Sequence, residues 1–484
     1  MRTGRAGTML ALAAMLAGCG GGGSSSGGGG TTASPTPTPT VTPTPTAAGC
    51  TLRERQNWAF AQLKEWYLFP DTLPTSLDPS PYTSVDSYVD ALTATARSQS
   101  KDRFFTYLTS IKEENAYYDS GSSAGFGVRL GLDPSHRLFV TEAFENGPAL
   151  AAGIDRGTEI LAIGTSTNSL RSVSDIYAAG GTDALNTALG PNTAGAATAF
   201  QVRSAAGATS TVTVTKQDFA LTPVSSRYGA QIINDGGHKV GYVNLRTFIS
   251  TADPALRTAF ATFRDAGVTE VVVDLRYNGG GLVSIAELMS NLLGGGRSSA
   301  DVQSYTTFRP EKAAENETTR FAPQPQSMAT TRVAFIGSGG TASASEYVIN
   351  AFTPYLHNAS ALVGSNTYGK PVGQIALDRS QCDDRLRVIA FALENAAHQG
   401  AYYTGLANYV EASCQANDDI RYPLGDPREA STRAALDFVE GKSCTRITAS
   451  SGTQPQRARA MLDARQLLTP DRPTTAQREV PGLF

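Results

Sequence analysis

The sequence predicts a multidomain α+β protein: a helical N-terminal domain, a middle domain of short β-strands, and an α/β core behind it. Three observations carry that expectation. Aromatic and apolar residues recur at helix spacing from Cys50 to about Ser120, as in Trp58, Leu63, Trp66 and Tyr67, then Tyr88, Val89 and Leu92. From Gly121 to about Phe219 short alternating runs such as Leu138-Phe139-Val140 and Thr211–Val214 are punctuated by Gly, Pro and Asn. Beyond that, β-branched runs end in Gly-rich turns and continue into helical apolar patterns, the alternation of an α/β layer. The stretch from Cys50 to Phe484 is enough for about three domains of about 150 residues, and a core of that size needs no metal or disulfide staple.

The first 18 residues read as a secretory signal peptide, with Arg2 and Arg5, then the apolar run Met9–Ala17. Leu16-Ala17-Gly18-Cys19 resembles the bacterial lipoprotein box, which implies that Cys19 becomes the lipidated first residue of the mature chain. Gly20 after the cysteine implies, by the same resemblance, an outer-membrane anchor in the cell envelope, facing the periplasm or exported to the surface. Residues 19–49, with two Gly blocks and a Thr-Pro alternation, cannot bury a core and make a tether. The 40 Lys plus Arg against 43 Asp plus Glu leave a net charge of −3, with no basic excess for binding duplex nucleic acid. No apolar run of about 18 residues occurs, so no membrane-spanning helix is expected.

With Cys19 assigned to lipid, Cys50, Cys382, Cys414 and Cys444 remain, an even number suited to an oxidising compartment. Of the three possible pairings we favour Cys382–Cys414 as a local clip and Cys50–Cys444 as a tie between the ends. No two of these cysteines sit at zinc-ligand spacing, so no metal is expected.

We place the helical domain at 50–120 and the β domain at 121–218. In the latter, Gly125-Phe126-Gly127-Val128 resembles the carboxylate-binding loop of PDZ domains. Asn146-Gly147-Pro148-Ala149 through Gly153-Ile154, then Gly157–Leu161, resembles their conserved core pattern. Successive N–H groups in such a loop make an anion nest, and the strand after it pairs with an incoming peptide. In the third region, 219–445, Val271–Leu275 leads into Gly279-Gly280-Gly281 and a helix bearing Ile285, Leu288, Met289 and Leu292. Arg332–Ile336, Gly337–Gly340 and Glu346–Phe352 repeat the unit, and Leu362-Val363 is a third short strand. Function is expected where those strands end. The tail, 446–484, has no assigned role, although Arg457–Leu468 fits an amphipathic helix.

Two turns carry candidate chemistry. In Gly339–Glu346, Ser343 or Ser345 is read either as a helix cap or as a nucleophile on a sharp turn. Gly364 through Lys370 fits the start of a phosphate-binding loop, but position 371 is Pro, with no hydroxyl for Mg²⁺ and no N–H for a phosphate. Taken together, VVVDLRYNGGG, GGTASASE and TYGKPVGQ, in that order behind a PDZ-like domain, resemble the C-terminal processing peptidases of serine-peptidase family S41 over roughly residues 100–440.

The resemblance implies an α/β serine-peptidase core of the S41 (ClpP/crotonase-like) type. It also implies Ser343 as nucleophile, Lys370 as general base, Gln374 as its partner, and the N–H groups of Gly281 and Ala344 as oxyanion donors. Gly125, Phe126, Gly127 and Val128 would bind peptide. Tyr368 and Pro371 depart from the family's motif, and the Ser343–Lys370 interval is slightly longer than usual, which bears on loop geometry more than on chemistry.

The chemistry is coherent from the residues upward. A serine hydroxyl needs an adjacent base. Lysine serves only when neutral, so its pKa must fall from about 10.4 toward 7 or 8, at a cost of about 4 kcal/mol. Gln374 accepts a hydrogen bond without the negative charge that would keep the amine protonated. His357 and His398 are nearby in sequence but lie in no such motif, and Asp274, Arg276 and Asn278 are read as braces of the Gly turn. The expected activity is a Ser–Lys serine endopeptidase of the envelope, cleaving protein substrates recognised by their exposed C-terminal tails through an acyl-enzyme. No cofactor, metal or nucleic acid is expected, the membrane is reached through lipid alone, and adaptors and homo-oligomers are left unassigned. The alternatives are a catalytically inactive PDZ-containing peptide-binding lipoprotein and a hydrolase of non-peptide esters or amides.

Overall fold

The structure, a computed structural model, describes residues 48–448 and 465–484. The signal-peptide, Cys19 and most of the tether assignments fall outside the described residues.

The N-terminal helices are α1 (Leu52–Trp66), α2 (Val85–Leu92), α3 (Ala94–Ser98) and α4 (Ile111–Ser120), with β1 (Tyr107–Ser110) between the last two. Thr51 starts α1 through a reciprocal cap: its N–H donates to Glu54 Oε2 at 3.0 Å and its hydroxyl accepts from the Glu54 N–H. The predicted stripes are indeed packing faces, since Leu63, Tyr67, Tyr88, Val89 and Leu92 are buried together. Their core is completed by Val372, Leu386, Val388 and Ile389 of the third region, so these helices rest on that region's hairpin.

The middle region runs β2 (Ser122–Gly125), β3 (Val128–Leu132), β4 (Leu138–Ala143), α5 (Pro148–Ala151), β5 (Glu159–Gly164), β6 (Arg171–Ser172), α6 (Val173–Leu189), β7 (Ala197–Arg203), β8 (Thr209–Thr215) and β9 (Gln217–Ala220). Strands β3, β4, β5, β7 and β8 form an antiparallel sheet in that order, closed over Phe126, Leu130, Val140, Ile160, Ile176 and Phe200. Pairing of β2 with β9 closes the region off at its two ends.

The third region contains β10 (Ala230–Asp235), β11 (His238–Asn244), α7 (Ala252–Asp265), β12 (Glu270–Asp274), α8 (Val283–Leu293), β13 (Val302–Phe308), β14 (Glu317–Arg320), β15 (Arg332–Gly337), α9 (Ala344–Leu356) and β16 (Ser360–Gly364). After these come β17 (Val372–Arg379), β18 (Asp384–Glu394), β19 (Ala412–Gln415), α10 (Ala430–Val439), β20 (Gln466–Leu467) and α11 (Thr475–Glu479). One sheet has the order β10-β11-β12-β15-β16-β19 and is parallel from β11 onward. Alternation along β12 explains why a continuous apolar run is needed there. Val271 and Val273 face the core shared with α7, α8 and α9, while Val272 faces the one shared with α10. A second sheet, β1-β18-β13-β14 with β17 beside β18, stands against the N-terminal helices.

The disulfides differ from the pairing expected. Cys50 bonds Cys382 and Cys414 bonds Cys444, with Cα atoms 5.5 and 5.3 Å apart. Cys382 lies in the turn between β17 and β18, the hairpin on which α1 packs, which brings it to Cys50 at the start of α1. After that turn β18 stays in one sheet and β19 joins the other, so Cys382 and Cys414 are carried apart. Cys414 meets instead the segment leaving α10, where Gln415 N–H donates to the Thr445 carbonyl at 2.7 Å. In the tail, Gln466–Leu467 is a strand, not the end of a helix, because its backbone pairs with β3; residues 457–464 lie outside the described residues.

Peptide mapping without reduction is expected to recover linked peptides for Cys50–Cys382 and Cys414–Cys444 and none for Cys382–Cys414. Cys50→Ser should lower stability by about 2–4 kcal/mol, read as a lower denaturant midpoint, because the bond closes the longer loop.

Candidate active site

Three strands of the parallel sheet, β12, β15 and β16, end side by side, and the turn after each supplies one part of the site. After β12, Tyr277 is held at φ 65° and the chain enters Gly279–Gly281. Asn278 braces this turn: its amide donates to the Leu245 carbonyl at 2.8 Å and its side-chain oxygen accepts from Gly280 N–H at 2.9 Å. Asp274 and Arg276 are braces as well. The buried Arg276 guanidinium bonds Asp274 at 3.0 Å and Glu429, the cap of α10, at 2.8 Å.

The glycines are needed for close approach. Phe248 N–H donates to the Gly280 carbonyl and Leu282 N–H to the Phe248 carbonyl, so a methyl on Gly281, at φ 134°, would lie 2.2 Å from the Phe248 oxygen. A methyl on Gly280, at φ 122°, would lie 2.8 Å from Ser343 Cβ. The Gly turn therefore lies directly against Ser343 and the start of α9. Among the described residues neither Gly281 N–H nor Ala344 N–H donates a hydrogen bond within the protein.

The turn after β15 holds Ser343 at φ 54° and ψ −116°, a backbone conformation that a non-glycine residue adopts only when its surroundings enforce it. Ala342 N–H donates to the Asn278 carbonyl at 3.0 Å and Thr341 Oγ1 donates to the Leu275 carbonyl at 2.8 Å. Ser345, the other candidate hydroxyl, is fully buried and donates to the Asn278 carbonyl at 3.0 Å. Its hydroxyl is committed to structure, whereas Ser343 keeps solvent contact.

The turn after β16 brings Lys370. Its amine donates to Gln374 Oε1 at 2.8 Å, and the Gln374 amide donates to the Phe105 carbonyl. A register shift at Gly373/Gln374, where β17 bulges against β18, aims Gln374 this way. The amine lies 5.2 Å from the Phe105 ring centre, and desolvation by the surrounding protein pushes its pKa below the ordinary lysine value. The charge of Glu479 partly opposes that shift. Pro371 is built into the turn, its carbonyl accepting from Leu393 N–H at 3.0 Å. Tyr368 packs under the Arg103 guanidinium at 4.1 Å, and Arg103 also donates to the Tyr368 carbonyl at 2.7 Å.

One side chain joins the turns. Glu346, fully buried on the first turn of α9, accepts from Thr367 Oγ1 at 2.6 Å and Gly369 N–H at 2.7 Å on one oxygen. Its other oxygen accepts from Lys370 N–H at 2.7 Å and Ser343 N–H at 3.1 Å. The structure thus brings the backbones of Ser343 and Lys370 together on one carboxylate oxygen. No hydrogen bond joins Ser343 Oγ to the Lys370 amine among the described residues; the amine is turned to Gln374.

The sequence reading missed Glu346, Phe105 and Glu479. Glu346 had a local signal, the Ser-x-x-Glu spacing of a capping box, but nothing in the sequence indicated its contacts to residues 367–370. His357 and His398 are exposed and bond Glu411 and Glu394, away from these turns. Gly125–Val128 runs from the end of β2 to the start of β3 in the middle region, where Gly125 abuts Phe484.

Residues 239–398 match the sequence profile of Peptidase family S41. A chloroplastic C-terminal processing peptidase of Tetradesmus obliquus is 26% identical over 272 residues, 54% of this chain and 54% of that protein. A carboxyl-terminal-processing protease of Synechocystis is 25% identical over 332 residues, 66% of this chain and 70% of that protein. A chloroplastic carboxyl-terminal-processing peptidase 1 of Arabidopsis thaliana is 32% identical over 166 residues, 34% of this chain and 31% of that protein. The chain thus spans about half or less of the algal and Arabidopsis proteins. In fold it is similar to the crystal structure of a putative S41 protease from Bacteroides fragilis, with a TM-score of 0.61 and 21% identity over 79% of this chain and 97% of that one.

Glu346→Gln is expected to cost about 1–3 kcal/mol of stability, because the amide NH₂ would face two donors on whichever side it took. Thermal melting of the variant beside the parent checks this. A Glu346 acting only as a cap of α9 would cost nearer 1 kcal/mol.

Proposed function

The chain carries a peptidase family S41 domain at residues 239–398, and on that premise we propose that it is a serine endopeptidase working through Ser343 and Lys370. The observation that carries this reading is the joint presentation of a strained, solvent-touching serine and a desolvated lysine on one buried carboxylate. Neutral Lys370, rotated from Gln374 toward Ser343, takes the Oγ proton as the oxygen attacks a peptide carbonyl. The negative charge that develops on the carbonyl oxygen meets the N–H groups of Gly281 and Ala344, with the N-terminal end of the α9 dipole behind the second. Collapse breaks the C–N bond, and the Lys370 ammonium returns its proton to the departing amine. Water then attacks the ester with Lys370 again as base, releasing the acid and regenerating Ser343.

Gln374 fits its part because a neutral acceptor orients the amine without favouring its charged form. The middle region is the proposed PDZ domain, binding the tail of a protein substrate along β3 at Gly125–Val128. The names of the chloroplast and cyanobacterial relatives support carboxyl-terminal regions as the substrate class. The lipoprotein-like Leu16–Cys19 and the two disulfides support an envelope location with a lipid anchor at Cys19. Cys19→Ser should then move the protein from the membrane to the soluble fraction, and unchanged partition would remove the anchor.

Digestion of an unfolded protein tests the activity. Ser343→Ala and Lys370→Ala should each lower kcat/KM by about 10³-fold or more, while Ser343→Ala leaves the thermal midpoint nearly unchanged. Cleavage equal to the parent in Ser343→Ala, or none in the parent, would leave the non-catalytic peptide-binding alternative.

The pH profile follows from the sign of the Lys370 shift. The neutral amine is the active form, so kcat/KM should rise with pH through a single ionisation and then level off. Burial lowers that ionisation, which places the midpoint below the ordinary value of about 10.4. Folding disfavours the charged amine, so the unfolded chain binds more protons between the two pKa values and the group's share of stability increases with pH across that window.

A further inference from the structure

The edge of β3, where the proposed substrate tail would pair, is already taken by residues 465–484. Leu468 N–H donates to the Leu130 carbonyl at 3.0 Å, next to the β20 pairing of Gln466 with Leu132 and Leu467 with Gly131. The chain then departs, forms α11 and returns. Leu130 N–H donates to the Gly482 carbonyl at 2.8 Å, Phe484 N–H donates to the Val128 carbonyl at 2.9 Å, and Val128 N–H donates to the Phe484 carbonyl at 3.2 Å. This is an antiparallel strand addition. Gly125 permits it, since a methyl there would lie 2.8 Å from the Phe484 carbonyl carbon. The Phe484 side chain is buried in the core that holds Phe126 and Leu130, and Leu483 is buried in the core of Phe144 and Phe219.

Between its two passes along β3 the segment crosses the catalytic turn. Gly279 N–H donates to the Glu479 carbonyl at 2.9 Å, and the Arg478 carbonyl oxygen packs so close to Gly279 that a methyl there would lie 2.2 Å from it. The Arg478 guanidinium stacks 3.8 Å from the Tyr107 ring centre and donates to the Phe104 carbonyl at 3.1 Å. The buried Glu479 carboxylate accepts from Tyr118 at 3.0 Å. One decapeptide therefore occupies the peptide groove and bridges the Gly turn of the proposed oxyanion donors to the N-terminal region. Glu479 also favours the charged form of Lys370, the form that cannot act as base.

We propose that residues 475–484 are an internal ligand of the β3 groove that holds the Ser343 site in a low-activity form through Gly279, and that a substrate tail with bulky apolar residues at the positions of Leu483 and Phe484 displaces them. The proposal rests on the peptidase reading for its activity readout, and its binding readout stands apart from that reading. An internal ligand detaches without global unfolding, whereas a permanent part of the fold does not. Residues that a substrate must replace should also lower activity while in place.

Hydrogen exchange on the full chain is the first measurement. The Val128 and Leu130 amides should exchange well before the amides buried between β4 and β5; exchange of all of them together, at the rate of global unfolding, overturns the proposal. The second is Phe484→Ala, expected to raise kcat/KM on an unfolded protein about 10-fold. The synthetic decapeptide of residues 475–484 should reverse that gain competitively, and a Phe484→Ala activity no higher than the parent's overturns the proposal. If parent and Phe484→Ala are both inactive, the peptidase reading has failed, and fluorescence anisotropy decides the ligand separately. Labelled decapeptide should bind Ser343→Ala/Phe484→Ala at least about 10-fold more tightly than Ser343→Ala alone, and equal affinity overturns it.

Discussion

The Glu346 carboxylate is the interaction on which the site depends. Four donors from two turns converge on it, at Ser343, Thr367, Gly369 and Lys370, in a place with no solvent exposure. Burial pushes its pKa up and the four hydrogen bonds pull it back, so its geometry and its charge are set by the same neighbours. A carboxylate so placed is costly to bury without partners, and that cost links the β15 and β16 turns: neither can move without leaving donors or acceptor unpaired. The unusual backbone of Ser343 is sustained by this constraint together with the Asn278 contacts behind it.

A second constraint is the desolvation of the Lys370 amine, which the turns at the strand ends do not supply alone. Phe105, from the segment before β1, contributes the carbonyl that holds Gln374 and the ring beside the amine. The N-terminal helices owe that position to a core shared with β17 and β18, fastened further by Cys50–Cys382. The helical region is thus a wall of the site, and the electrostatics of the lysine depend on a segment more than 250 residues earlier in the chain.

The tail ties the middle region to the same turns. Arg129 of β3, fully buried, donates to the Tyr277 carbonyl at 3.0 Å and to the Pro481 carbonyl, and pairs with Glu142, which also pairs with Arg246. A strand on this edge therefore shares Arg129 with the Tyr277 carbonyl, two residues before Gly279. The β3 edge and the Gly turn thus have a continuous physical connection through packed, buried groups, which is the condition for one to bias the other.

Local patterns made much of this protein legible. The β-branched run of Val271–Val273 with Gly279–Gly281 behind it, and the turn from Gly337 leading into α9, were readable as strand ends followed by Gly turns, since strand periodicity and Gly turns are properties of neighbouring residues. The resemblance singled out Ser343 over Ser345, and in the structure the Ser345 hydroxyl is committed to the Asn278 carbonyl. What sequence could not determine is everything set by which distant segments share a core. The disulfides paired otherwise than expected because β18 and β19 lie in different sheets. Glu346 looked like an ordinary cap because its other three donors lie more than 20 residues on. The tail had no readable role because a strand that pairs with β3 through main-chain hydrogen bonds requires no particular side-chain pattern of its own.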